Sequence, residues 1–385
     1  GHGKGEVARR LFAGDTSGVV LEDGWLPQRA ARVGKVRSAL PVIPQRWARD
    51  DSRNNALLLA ALAEIRDEVD AQIERYGRDR VAVVLGTSTS GIGEGEAAVA
   101  QRAQHGAWPA RYHYQQQEIG RIAPFLAEYL GLTGPVLTVS TACTASGRAL
   151  VSARNFLHAG LCDAVVVGGA DALCKLTVSG FTALESTSDM LMNPMSRNRR
   201  GINVGEGAAI FVLTRERTQE HAIALLGIGE SSDAHHISAP DPTGAGAVAA
   251  IRGALRDARI SCAQVAYVNL HATATPKNDE MESRAMAEVF AEGVSCSGTK
   301  PMTGHTLGAA AATELAFCWL ALSPQWNPDA RLPPHCWDGE RDAALPRLQL
   351  VTQPTHFSHQ RNAVMMSNSF AFGGSNVSIV LGRAQ

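Results

Sequence analysis

Short apolar segments alternate with stretches of helical periodicity along most of the chain. Runs of aliphatic and β-branched residues predict buried strands at residues 80–91, 162–171 and 209–216. The same theme recurs later, with a strand and polar loop at 265–279 and two strands around a glycine-rich turn at 362–382. This alternation is typical of an α/β fold.

Helical periodicity is clearest in three segments, at residues 54–77, 144–160 and 308–323. The chain around Arg217 is poor in proline and glycine, which argues against a flexible linker there. We therefore predict two halves, residues 1–216 and 217–385, that share one core.

Residues 135–160 change from strand to helical periodicity, and Cys143 lies at the change. A cysteine at the start of a helix is near unpaired N–H groups and the positive end of the helix dipole, which stabilise a thiolate. The same N–H groups could bind an oxyanion formed on a thioester. The other six cysteines lie in apolar or undistinguished segments, where a cysteine is usually a small core residue.

Two histidines lie in loops rich in glycine, alanine and threonine, where a ligand can approach closely. His271 ends a predicted strand, and His305 precedes a predicted helix. Either histidine alone would be read as structural. Lys300 precedes His305 and Glu282 follows His271, so a catalytic cluster around Cys143 is the better interpretation.

Composition excludes several classes of partner. Lysine and arginine total 36 against 37 acidic residues, which gives no reason to expect nucleic acid or an anionic membrane. No apolar run approaches the ~20 residues that span a bilayer. Seven cysteines without metal-type spacing favour a reducing compartment, and we predict a cytoplasmic protein without a metal.

Several motifs together resemble those of the elongating β-ketoacyl-[acyl carrier protein] synthases of the thiolase superfamily. They occur in the family's order, and nearly the whole chain is covered. The matching segments are TACTASG around Cys143, GINVGEGAAIFVL, HATATPKND, TKPMTGHTLGAAA and NSFAFGGSN.

This resemblance implies a five-layer αβαβα fold of two duplicated halves, an obligate dimer and an acyltransferase activity. It implies that Cys143 carries the acyl chain, that His271 and His305 assist decarboxylation of a malonyl donor, and that Lys300 pairs with Glu282. The N–H groups of Cys143 and Phe372 would form the oxyanion hole. No cofactor is expected, because phosphopantetheine arrives on the acyl carrier protein. The residues assigned to the substrate are Thr273, Thr275, Phe370 and Glu282.

The chain departs from the family's motifs at several positions. Ala272 follows the first histidine and Ala371 separates two phenylalanines, where the family has glycine. A smaller swing of the Phe372 gate, or a hinge at Gly373 and Gly374, would accommodate Ala371. The segment PMSRNRRG loses an acidic residue of the family block and gains Arg200. Arg197, Arg199 and Arg200 are a candidate basic patch for an acidic carrier protein.

Rival interpretations differ in single residues. A degradative thiolase needs a second cysteine in the glycine-rich loop near Phe372, and a chain-length factor, which is a non-catalytic subunit, lacks the nucleophile. Within the family, the segments from residues 51 and 81 resemble ketosynthases of bacterial aryl polyene clusters. That subfamily implies a polyenoyl chain and a heterodimer with a chain-length-factor homologue. Housekeeping fatty-acid elongation, with a homodimer, is the alternative.

Overall fold

The computed structural model describes residues 1–216, 222–358 and 363–383. Ten α-helices lie in these ranges: α1 Gly3–Phe12, α2 Arg53–Ala63, α3 Arg66–Tyr76, α4 Ile92–His105, α5 Ile122–Leu130, α6 Ala145–His158, α7 Lys175–Ala183, α8 Ala245–Ala258, α9 Pro276–Val289 and α10 Ala310–Leu322.

The described strands number thirteen: β1 Val19–Leu26, β2 Arg29–Gly34, β3 Val81–Gly86, β4 Val136–Val139, β5 Ala164–Asp171, β6 Val204–Gly205, β7 Gly207–Thr214, β8 Ile223–Ser232, β9 Val265–Asn269, β10 Ser295–Ser297, β11 Gln349–Leu350, β12 Val364–Phe370 and β13 Ser375–Arg383.

The two main sheets share one topology. In the first, β4, β3, β5 and β7 lie side by side, and only β7 is antiparallel to its neighbour. In the second, β10, β9, β12 and β13 repeat this order and these directions, with β11 and β8 added at the edges. The repeat confirms the predicted duplication. A third, small sheet joins β1, β2 and β6.

Helices α6 and α10 lie between the two main sheets, and their apolar faces share one core with both. The outer face of the first sheet is covered by α2 and α5, and that of the second by α8 and α9. Close packing of the inner helices requires small residues, and a Cβ at Gly147 of α6 would lie 3.1 Å from the Cβ of Ala311. The five-layer αβαβα architecture is confirmed.

This duplication places the candidate catalytic residues at equivalent points. Cys143 lies between β4 and α6, and His305 lies between β10 and α10, the corresponding strand and helix of the second half. Because both inner helices begin at the same region between the sheets, the two side chains meet there.

The structure bears differently on two expectations from the sequence. The helix predicted at 54–77 is interrupted, because Ile65 leaves helical geometry between α2 and α3. The predicted boundary between the halves adjoins residues 217–221, outside the described residues, and it stays a prediction. None of the described helices is both long and apolar enough to cross a membrane.

Candidate active site

The turn between β4 and α6 holds Cys143 in a strained, tightly bonded geometry. Ala142 adopts a left-handed backbone with φ of 52°. The Thr144 hydroxyl lies 2.8 Å from the carbonyl of Thr141, to which it can donate, and 3.0 Å from the Ser375 hydroxyl on the opposite half. Cys143 is only 6% exposed. The nucleophile candidate is therefore fixed in place by both halves.

Burial makes the Cys143 thiol a weak acid. It raises the pKa of this thiol to about 11, although Lys300 and the N–H groups of Phe372 and Cys143 oppose the rise. The N–H groups at the helix start thus favour the thiolate, as expected, but desolvation outweighs them in this closed pocket. The amide N–H groups of Phe372 and Cys143 both lower the pKa of this thiol, so both lie near the sulfur, as an oxyanion hole requires.

His305 is the group that can take the proton of this thiol. Its Nε2 lies 3.0 Å from Cys143 Sγ, while its Nδ1 has no hydrogen-bond partner among the described residues. The backbone is held firmly, since the His305 N–H donates to the carbonyl of Asn203 at 2.7 Å. Burial and the charge of Lys300 hold the pKa of His305 well below its usual value, so the imidazole is neutral.

His271 lies beside His305, with the ring centroids 5.4 Å apart and the rings nearly perpendicular. Its Nδ1 is 3.3 Å from the Lys300 ammonium. An ammonium can only donate, so Nδ1 accepts and the ring proton is on Nε2. Burial and Lys300 lower the pKa of His271 well below its usual value. His271 is therefore a neutral N–H donor.

The predicted pairing of Lys300 with Glu282 is wrong. Lys300 forms a buried ion pair with Glu314 of α10 and also donates to the carbonyl of His271. Burial raises the pKa of Glu314 to about 7 even though Lys300 opposes this. Sequence reasoning missed Glu314, yet it is the one charged residue in the apolar segment AAATELAFCWLAL, which is a usable signal.

Glu282 holds the backbone of the His271 loop instead of contacting substrate. It is fully buried and accepts the N–H groups of His271 and Ala272, each at 2.7 Å. Burial raises the pKa of Glu282 to about 8, against those two hydrogen bonds. The assignment of Glu282 to substrate binding is therefore corrected to a positioning role.

The alanines of the His271 loop keep a backbone that favours glycine. Ala272 has a φ of 40° and Ala274 a φ of 60°. Such angles are strained for an alanine. Two carboxylates restrain the loop. Glu282 accepts the N–H of Ala272, and Asp279 accepts the N–H of Ala274 at 3.1 Å. The alanines of this loop therefore hold strained backbone angles that a glycine would adopt freely.

A narrow pocket joins these groups. Its lining includes the predicted residues Cys143, His271, His305, Thr273, Thr275, Phe370 and Phe372, and four that sequence reasoning missed: Phe181, Ser186, Ile202 and Asn278. Asn278 and Ile202 lie in the motifs HATATPKND and GINVGEGAAIFVL, which are a usable signal, whereas only the fold brings Phe181 and Ser186 to the pocket. The hydroxyl oxygens of Thr273 and Thr275 lie 3.0 Å apart.

Phe372 closes one side of the pocket against Phe181, with the ring centroids 5.9 Å apart. Ala371 has an ordinary backbone, whereas Gly373 and Gly374 have φ of 88° and 84°. A Cβ at Gly374 would also lie 2.2 Å from the carbonyl of Asp233. These angles suit glycine, and the choice between a smaller swing and a hinge at Gly373 and Gly374 stays a prediction.

The ligand atoms of Cys143, His271 and His305 lie within 4.8 Å of one another. Such a set could also hold a metal ion, since Zn²⁺ accepts both sulfur and imidazole nitrogen. The absence of a metal stays a prediction. In either case, these three side chains form the chemical centre of the pocket.

The predicted arginine patch is only partly available. Arg197 pairs with Glu340 at 2.8 Å. Arg199 is mostly buried against Asp342, whereas Arg200 is exposed. Two of the three arginines are thus ion-paired within the chain, and the patch stays a prediction.

Comparisons with known proteins agree with this geometry. Residues 28–219 match the model of the beta-ketoacyl synthase N-terminal domain, and residues 223–331 match that of the C-terminal domain. The chain is 32% identical over 344 residues to 3-oxoacyl-[acyl-carrier-protein] synthase 2 of Vibrio harveyi, covering 84% of this chain and 80% of the relative.

Two solved structures are similar over almost the full chain. One is the ketosynthase ApeO of Xenorhabdus doucetiae in complex with its chain length factor ApeC, with a TM-score of 0.93, 46% identity, and coverage of 99% of this chain and 94% of the other. The second is a beta-ketoacyl synthase from Burkholderia phymatum, with a TM-score of 0.86, 28% identity and coverage of 99% and 95%.

Proposed function

Because the chain belongs to the beta-ketoacyl synthase family, we propose that it condenses malonyl-[acyl carrier protein] with an acyl chain held as a thioester on Cys143. The observation that carries this is the contact of 3.0 Å between Cys143 Sγ and His305 Nε2, with the His271 ring beside it. A thiol, a base and a second neutral donor are the groups that the reaction needs.

Loading begins when His305 Nε2 accepts the thiol proton and the sulfur attacks the carrier-bound acyl thioester. The oxyanion that forms is stabilised by the N–H groups of Cys143 and Phe372. When the intermediate collapses, the carbon–sulfur bond to the carrier breaks and the leaving thiolate takes the proton from His305. A base is needed here because the thiol with a pKa of about 11 is protonated at neutral pH.

Condensation uses the histidines as donors. The malonyl thioester carbonyl accepts hydrogen bonds from Nε2–H of His271 and of His305, carbon dioxide leaves, and the enolate attacks the acyl carbon on Cys143. The Cys143 thiolate then leaves and takes a proton from water, since the condensation consumes one proton overall. His305 must accept in one step and donate in the other, and its unpartnered Nδ1 permits either tautomer.

No cofactor is proposed within the chain, and the phosphopantetheine arm of the carrier protein enters with the substrate. The hydroxyls of Thr273 and Thr275 are proposed to bind the amides of this arm, since both line the pocket. Phe372 and Phe370 would line the binding site of the acyl chain, and Phe372 would move about Gly373 and Gly374 to admit the chain.

We propose that the protein forms a dimer and that strand β4 lies in the dimer interface. This strand is an edge of its sheet, and Val136 on it is 39% exposed, so its outer backbone groups can pair with another chain. The partner is proposed to be a chain-length-factor homologue, as in the ApeO complex. Native mass spectrometry after co-expression should show the heterodimer, and Val136→Pro, which removes an N–H from the edge, should weaken it.

The pathway is proposed to be aryl polyene synthesis, on the sequence resemblance stated above and the likeness to ApeO. The chain elongated would then be a flat conjugated enoyl thioester. In a competition between matched carriers, the polyenoyl chain should load before the saturated one. A fully active homodimer that prefers the saturated chain would instead indicate ordinary fatty-acid elongation.

The central experiment is intact-protein mass spectrometry after incubation with acyl carriers. One acyl group should add to the native protein, none to Cys143→Ala, and one to the control Cys262→Ala, which removes an exposed cysteine. Loss of loading in the Cys262 variant, or persistent loading without Cys143, would refute the assignment. Release of carbon dioxide from malonyl carrier with a β-ketoacyl product tests the second step.

A further inference from the structure

Two unpaired cations flank the same edge of the pocket. Arg200 lies two residues before Ile202, and Lys277 lies directly before Asn278; Ile202 and Asn278 both line the pocket. The Gly201 N–H donates to the carbonyl of Ala274 at 2.8 Å and joins the two segments. The segments that carry Arg200 and Lys277 therefore meet beside the pocket, although 77 positions separate the two residues in sequence.

Both side chains are exposed, and neither makes an ion pair or hydrogen bond with another described residue. Nearby cations are different, because Arg199 is bound to Asp342 and Arg284 to Glu280. Glu280 is thus already paired, which leaves the charge of Lys277 uncompensated. Glu185 is an exposed acidic residue next to the pocket residue Ser186.

We propose that Arg200 and Lys277 together bind the phosphodiester of the phosphopantetheine arm at the entrance of the pocket. The inference rests on the proposed function, which brings such an arm into the pocket. Between its phosphate and its thioester the arm is uncharged, so the phosphate is the group that a cation can recognise. Arginine offers planar paired donors, and lysine adds a point charge.

The test compares two small substrates that carry the same acyl group, its thioester with pantetheine and its thioester with 4′-phosphopantetheine. The native protein should load the phosphorylated substrate with a kcat/KM about tenfold higher at low salt, and this ratio should fall as salt rises. Arg200→Gln and Lys277→Gln should each lower the ratio about threefold, and the double variant should bring it near one.

Two matched variants serve as controls. Arg347→Gln removes an exposed positive charge from a segment that does not line the pocket and should leave the ratio at the native value. Glu185→Gln removes the acidic neighbour of the rim and should raise the ratio. An equal fall for Arg347→Gln would show that total charge is responsible, which overturns the site.

The remaining outcomes separate this site from the proposed function. Equal loading of both thioesters by the native protein, or an unchanged ratio in the double variant, overturns the phosphate site alone. An effect of the double variant that appears only with the intact carrier protein also overturns it, since the cations then contact the carrier's carboxylates. Failure to load any thioester on Cys143 overturns the proposed function and the site together.

Discussion

His271 and His305 come from one half of the molecule, but they are held in opposite ways. The His271 ring is fixed by a polar contact, because the Lys300 ammonium binds Nδ1 and is itself bound to Glu314. The His305 ring contacts Cys143 through Nε2, and its Nδ1 has no partner among the described residues. One imidazole has a defined tautomer, and the other does not.

This difference indicates a division of labour. A ring whose proton is locked on Nε2 can only donate, which suits stabilisation of an enolate oxygen. A ring that exchanges tautomers can accept a proton in loading and donate in condensation. In the proposed reaction the pair supplies one permanent donor and one reversible base, and burial and Lys300 keep both rings neutral.

The largest expected effect comes from removing the reversible base. His305→Ala should slow loading of Cys143 by about a hundredfold or more, because the thiol proton loses its acceptor. Below pH 11 the thiolate fraction of this raised-pKa thiol grows tenfold per pH unit, so loading by the variant should rise steeply between pH 7 and 9. The native rate should rise less. Rapid-quench mass spectrometry measures both, and parallel pH profiles would contradict the assignment.

Removing the permanent donor should affect a different step. His271→Ala should lower condensation by about a hundredfold, while Cys143 still takes up an acyl group. Loss of loading equal to the loss of condensation would show that the two histidines are not distinct. The comparison requires both single-step assays on the same preparation of protein.

Much of this arrangement could be predicted from sequence. The alternation of strands and helices, the cysteine at the strand-to-helix change and both histidines all follow from local patterns. The Lys300 partner does not, because Glu282 is near His271 in sequence but α9 turns its carboxylate toward backbone N–H groups. Which carboxylate reaches Lys300 depends on how α10 packs beside it, a long-range property.

The pKa of Cys143 could not be predicted for a related reason. The helix start favours a thiolate, and this is visible in sequence, but the opposing desolvation depends on complete burial by both halves. The charge of Arg199 could not be predicted for the same reason, since the residue that neutralises it, Asp342, is 143 positions away in sequence. Sequence indicates which groups are present, whereas burial decides their charge.

A third prediction addresses the anchor of His271. Glu314→Gln leaves the Lys300 ammonium buried without a counter-charge, which should cost about 3 kcal/mol in the free energy of unfolding and lower condensation as well. The double variant Lys300→Met/Glu314→Leu removes both charges and should recover most of that stability while condensation stays low. Denaturant unfolding and the condensation assay distinguish the two roles. Recovery of condensation in the double variant would show that the pair is only structural.

The smallest expected effect is on stability and concerns the backbone of the loop that follows His271. Ala274 is buried with a left-handed φ of 60°, so Ala274→Gly relieves strain of about 1 kcal/mol. It also removes a methyl group and frees the unfolded chain, which oppose the gain by similar amounts. The net change in the free energy of unfolding should therefore stay within about 0.5 kcal/mol of zero. Ala310→Gly, on the His305 side, has an ordinary helical backbone with a φ of –60° and no strain to relieve. It should destabilise the protein by about 1 kcal/mol or more. Urea unfolding of the two variants measures the contrast, and equal destabilisation would show that the alanines of the His271 loop carry no strain.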